Sequence, residues 1–173
     1  PMPFDASATL DAFDLAPFLR AAGGPTDVAT KTSGTVRVSG TVADLKSVAV
    51  DLDLDTFEAI HPKGSLRAEG PVKIVVERGR LDVRSLRLSG TNIALEATGG
   101  LPFEGAGTDR LSVTSSTDLA ILLPFVEALD RATGRVSTRL EIGGSLSNPV
   151  PTGSLSFEEV LLDGPDFPTP IEK

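Results

Sequence analysis

The stretch Val48-Ala49-Val50-Asp51-Leu52-Asp53-Leu54-Asp55 alternates apolar and polar or small side chains without a break. Successive side chains on a strand point to opposite faces, so this octapeptide predicts a strand with one greasy face and one wet face. The same period recurs along the chain. Val36 and Val38 stand among Thr35, Arg37 and Ser39; Leu81 and Val83, Leu86 and Leu88, Ile93 and Leu95, Leu140 and Ile142, and Leu155 and Phe157 continue it. Turn residues punctuate the middle at Gly64, Gly70-Pro71, Gly79, Gly90, Gly99-Gly100 and Gly105, and again at Gly143-Gly144 and Asn148-Pro149. Such spacing predicts meandering antiparallel strands. Aspartates and arginines alternate outward, which excludes a parallel sheet buried on both faces. The expected class is therefore all-β with one or two short helices.

Composition narrows the function. The 173 residues include 24 acidic and 16 basic side chains, a net charge of -8, with no basic cluster. That balance disfavours nucleic acid, which needs a positive field. There is no cysteine, so disulfides and thiolate metal sites are excluded. No apolar run approaches the ~20 residues of a membrane-spanning helix. The greasy positions are mainly Val, Leu and Ile; Trp and Tyr are absent and only eight Phe occur. A smooth aliphatic lining packs a core, but it also suits an acyl chain, which offers no directed polar groups. The opening Pro1-Met2-Pro3-Phe4 and the closing Phe167–Lys173 are expected to be internal to a longer chain.

A weak internal repeat is present. Asp14-Leu15-Ala16 runs into Pro17-Phe18-Leu19-Arg20-Ala21, and Asp118-Leu119-Ala120 is followed by Pro124-Phe125-Val126-Glu127-Ala128. A Pro-Phe-acid triplet precedes each, Pro3-Phe4-Asp5 and Pro102-Phe103-Glu104. The chain thus reads as one elongated segment, 1–173, built of two modules: about 1–100 and about 101–173. Both Asp-Leu-Ala segments predict short helices lying against the sheet. Asp14 caps the first, Leu15, Phe18, Leu19 and Ala22 form its apolar face, and Gly23 ends it. In the second, Leu119, Leu122, Leu123, Val126 and Leu129 form the stripe, with a kink or restart at Pro124 and a stop at Gly134.

Chemistry-bearing constellations are few. Asp51, Asp53 and Asp55 share one face of a strand, but cation sites wrap oxygens around the ion from a loop, so a solvated outer face is the plainer reading. His61 is the single histidine and sits in Ala59-Ile60-His61-Pro62-Lys63-Gly64, which is turn chemistry. No G-x-S-x-G elbow and no phosphate-binding loop occurs. No catalytic residue, metal ligand or cofactor site is expected. The remaining signal is the apolar face itself. It must be covered by barrel closure, by a second sheet, or by another apolar molecule lying in a trough.

Two phrases resemble the TamB proteins and their AsmA-like relatives. One is Gly144-Ser145-Leu146-Ser147-Asn148-Pro149-Val150-Pro151-Thr152-Gly153-Ser154-Leu155-Ser156-Phe157; the other runs from Leu86 to Leu101. The helix Asp118-Leu119-Ala120 leading to Gly134-Arg135-Val136 is similar too. The resemblance implies a sheet curled into an elongated U-shaped trough, the β-taco, with an apolar interior. It implies a periplasmic location, in a protein anchored in the inner membrane through a segment outside these residues. Its partners would be phospholipid or unfolded outer-membrane protein as cargo, and a TamA-like outer-membrane barrel reached through other regions. The residues expected to line the path are Val36, Val38, Val48, Val50, Leu52, Leu54, Leu66, Val72, Ile74, Val76, Leu81, Val83, Leu88, Leu95, Leu140, Ile142, Leu155 and Phe157. The alternative is a compact sandwich or adhesin-like module with the same residues in a closed core.

Overall fold

The computed structural model describes residues 2–21, 27–42, 44–61, 64–105, 107–119, 131–163 and 171–172. The alternating stretch 48–55 falls in β3 (Asp44–His61). Around it stand β1 (Pro3–Phe13), α1 (Ala16–Ala21), β2 (Ala29–Thr41), β4 (Gly64–Ala68), β5 (Val72–Glu77), β6 (Arg80–Gly90), β7 (Ile93–Pro102), β8 (Gly107–Asp118), β9 (Arg131–Gly144), β10 (Pro149–Asp163) and β11 (Ile171–Glu172). The eleven strands form one sheet in chain order. Every pairing is antiparallel.

β4 and β5 share one place in that order, both lying between β3 and β6. The break between them falls at Gly70-Pro71, where proline cannot donate to a ladder. β5 turns into β6 through Arg78 and Gly79, both at positive φ (51° and 69°), as a two-residue hairpin with the native strand twist requires.

At four places the apolar spacing slips from two residues to three: Leu10 to Phe13, Leu54 to Phe57, Val83 to Leu86, and Phe157 to Val160. Each slip coincides with a bulge in the register. A bulge sets two residues against one on the partner strand, so the apolar side chains return to the same face. Gly34 faces the first two bulged strands at once, pairing with Leu10 and Leu54. A side chain there would run into the Asp53 carbonyl.

Two expected breaks turn out to lie inside strands. Gly99-Gly100 is within β7 and Gly134 is within β9. Gly134 stands opposite the β10 bulge at φ 107°, where a Cβ would sit 2.6 and 2.7 Å from the carbonyls of Glu159 and Glu158. These glycines answer to close strand approach, not to chain reversal. His61 likewise ends β3 within a ladder, paired with Gly64.

The first helix forms as expected, with Asp14 accepting the Ala16 N–H at 2.9 Å. The expected side chains of Phe18, Leu19 and Ala22, the stop at Gly23, and the second helix beyond Leu119 lie outside the described residues. Both Asp-Leu segments leave the same end of the sheet, because β1 and β8 run in the same direction. At the opposite end the β9–β10 turn reaches past β8 to β7. Leu146 N–H donates to Pro102 O at 2.9 Å and Ser147 N–H to Phe103 O at 3.1 Å. Leu101 and Ser145, at 1% and 2% exposure, are sealed beneath this contact.

The chain presents 11242 Å² to solvent. A compact monomer of its 18.0 kDa would present ~8,000 Å².

Replacing Gly134 with Ala is expected to lower stability by more than ~1 kcal/mol in urea unfolding, since an alanine at that positive φ is strained and meets backbone. The Asp14 carboxyl is held below its usual value, chiefly by the Ala16 N–H and next by the Thr30 hydroxyl. A depressed carboxylate stabilises the fold above its unfolded pKa and loses that effect as pH falls through the folded one. The stability gap between wild type and Asp14→Asn should therefore be full above about pH 4 and close at lower pH.

Candidate functional site

Residues directly paired across a ladder point to the same face. The register therefore assigns every side chain to one face or the other. One row runs Ala8, Val36, Leu52, Ile74, Val83, Gly99, Leu111, Ile142 and Pro151, from β1 to β10. A second runs Ala6, Val38, Val50, Val76, Leu81 and Leu101. Leu54 pairs with Val72, and Leu86, Ala97, Val113, Leu140 and Gly153 form a further row. Beyond them come Ala68, Leu88 and Leu95, which lead to Leu155, then Leu66, Gly90 and Ile93, which lead to Phe157. Val48 follows from Val50 by alternation, and its Cγ2 lies 3.2 Å from where a Cβ on Gly40 would be. All the residues predicted to line a path thus share one face.

That face is not uniformly covered. Leu54, Val72 and Val83 are buried, at 5%, 4% and 6% exposure, whereas Leu155 and Phe157 are 59% and 58% exposed. Most of the rest are half-buried. Ser115, Thr117 and Thr138 also belong to this face, through their pairing with Leu95, Ile93 and Leu155. They interrupt the aliphatic surface at β8 and β9, which strict alternation did not reveal.

The other face is polar. Asp53 pairs with Lys73 across β3 and β5 at 2.8 Å, and Arg87 with Glu96 across β6 and β7 at 2.9 Å. Arg80 and Asp109 form a further ion pair. Lys73 has its pKa raised, first by the hydrogen bond to Asp53, then by that charge and by Asp51 and Asp55. Half-exposed pairs of this kind contribute little stability. Among the described residues no cluster of three or more His, Asp or Glu is placed to hold a metal ion. Val75 is the exception on this face: it pairs with Asp51 and Asp82 yet is 8% exposed.

A cavity of about 450 Å³ also lies on the polar side. Its walls are two neighbouring rows, one with Arg87, Glu96, Thr114, Arg139 and Ser154, the other with Ala94, Ser116, Ser137 and Ser156. Small hydroxyl side chains leave this surface low between longer neighbours. Leu88 and Leu95 are the residues of the predicted lining that touch it, from the row between.

No protein-family model matches the chain, and neither a curated protein nor a solved structure does.

Replacing Asp51, Asp53 and Asp55 together with Ser should leave the thermal midpoint near neutral pH almost unchanged and independent of added Ca²⁺. What Lys73 contributes is present below its unfolded pKa and lost as pH rises through the raised folded value. Wild type and triple variant should therefore converge at strongly alkaline pH.

Proposed function

We propose that this chain is a non-enzymatic carrier segment whose apolar face holds the acyl chains of phospholipids. In this reading the sheet curls lengthwise into a trough and forms part of a TamB-like periplasmic bridge between the inner and outer membranes. The observation that carries it is the alignment of every predicted lining residue on one face of a single sheet, most of them only partly buried and two, Leu155 and Phe157, exposed. A closed sandwich core would bury them. Each CH₂ removed from water is worth about 0.8 kcal/mol, so a chain lying across several strands is held without a deep pocket. The polar face, with its ion pairs and the net charge of -8, keeps such a surface soluble.

A second cargo is favoured by one feature. The edge of β10 from Pro149 to Glu158 pairs only with β9 among the described residues, and Leu155 and Phe157 are exposed on it. An unpaired edge accepts an extended polypeptide by strand addition. That fits an unfolded outer-membrane strand.

A photo-reactive amino acid placed along β3 should capture acyl chains at Val50, Leu52 and Leu54 but not at Asp51 or Asp53. The same alternation is expected on β5, at Ile74 and Val76 against Lys73 and Glu77, because the register joins these positions into one surface. Absence of capture at every position in membrane-bearing cells would sink the acyl-chain reading, and capture of protein instead would favour the strand cargo. Leu52→Glu should abolish lipid capture while cooperative unfolding persists. Loss of folding in that variant would point to a closed core, where an unpaired charge is too costly.

A further inference from the structure

At the end of β1 the chain is tied to the sheet through Thr30. Asp14 Oδ1 accepts three hydrogen bonds, from Ala16 N–H at 2.9 Å, Thr30 N–H at 3.2 Å and the Thr30 hydroxyl at 2.8 Å. Leu15 N–H donates to the same hydroxyl oxygen at 2.5 Å. Thr30 pairs with Ala59, which pairs with Leu66, so its side chain belongs to the apolar face. The residues clipped to it sit at the β1 edge of that face, where the Thr30 N–H also points. Ala16, Thr30 and Thr32 are buried there, at 4%, 8% and 0% exposure, while Asp14, Pro17, Arg20 and Ala21 are exposed.

The helix that follows has six residues. Isolated helices need about 12 to 15 residues to persist even marginally in water. The position of α1 therefore depends on its attachment to the sheet, and the described attachment is the Asp14–Thr30 clip. Breaking a few polar bonds would free the segment without disturbing any ladder.

We propose that Asp14–Ala21 is a strap closing one rim of the apolar face, and that its release from Thr30 admits an acyl chain sideways at that rim. This rests on the acyl-chain reading of the face. The strap supplies what an open path otherwise lacks, a place where cargo can enter from the side yet be retained afterwards.

The test uses the absence of native cysteine. The contact of Leu15 N–H with the Thr30 hydroxyl makes these two positions the pair to join. In Leu15→Cys/Thr30→Cys the strap is locked when oxidised and unclipped when reduced. Uptake of a fluorescent phosphatidylethanolamine from vesicles of phosphatidylethanolamine and phosphatidylglycerol is timed in both states. The reduced form should load several-fold faster than the oxidised form and faster than wild type. Equal rates in the two states, with wild type still taking up lipid, would overturn the strap and leave the acyl path standing; no uptake by wild type would overturn both. Should the disulfide not form, Asp14→Asn and Thr30→Val serve. Each should load faster than wild type while melting cooperatively, and unchanged uptake in both overturns the strap.

Discussion

The structure depends on keeping one side of a long meander apolar through every irregularity in the chain. A strand's side chains alternate with period two, so a one-residue slip would turn every later apolar group to the wrong face. Where the apolar spacing slips, at Leu10–Phe13, Leu54–Phe57, Val83–Leu86 and Phe157–Val160, the chain bulges. The cost of a bulge is local: an unpaired residue and a strained backbone, seen at Ala12 and Glu159, both near φ 50°. The cost of leaving a slip uncorrected would be spread over a whole strand end. The bulge is therefore the cheaper arrangement wherever the sequence steps by three. Glycine on the facing strand lets the two backbones close.

The two faces then divide the work. On the polar side, charges sit directly opposite one another across the ladders, as Asp53 does Lys73 and Arg87 does Glu96. They add little energy, but they make that side wet. On the apolar side burial is graded. It is deep at Leu54, Val72 and Val83 in β3, β5 and β6 and at Leu101 in β7, and shallowest at Leu155 and Phe157 on β10. One sheet cannot cover its own apolar face as a second layer would.

The alternation made most of this legible before any coordinates. Val50, Leu52 and Leu54 leave one face available, and their partners in β2 and β5 repeat the choice, so the lining could be named strand by strand. What stayed hidden has physical causes. Val72-Lys73-Ile74-Val75-Val76 is apolar at both parities, so the burial of Val75 had no signal. Ser115, Thr117 and Thr138 carried no facing signal, because β-branched and small polar side chains suit either face. Gly99-Gly100 and Gly134 carry the composition of turns. Their role depends on the approach of Arg110 and of Glu158 and Glu159, partners that no local window contains. The Asp14 cap was legible; its second attachment, to Thr30, crosses sixteen residues and was not.

The hydroxyls on the apolar face bear on the proposed path. From β1 to β7 the two longest aliphatic rows carry no polar side chain between Ala6 or Ala8 and Leu101 or Gly99. At β8 and β9 the outer rows change to Ser115, Thr117 and Thr138, while Leu111, Ile142, Val113 and Leu140 keep the inner rows apolar. Hydroxyls cost little where water reaches them and more where an acyl chain would exclude it. A chain crossing the sheet would therefore be drawn toward the inner rows at β8 and β9, away from the end of the sheet where α1 lies. The narrowing of the implied path there comes from side-chain chemistry with no pocket wall to form it.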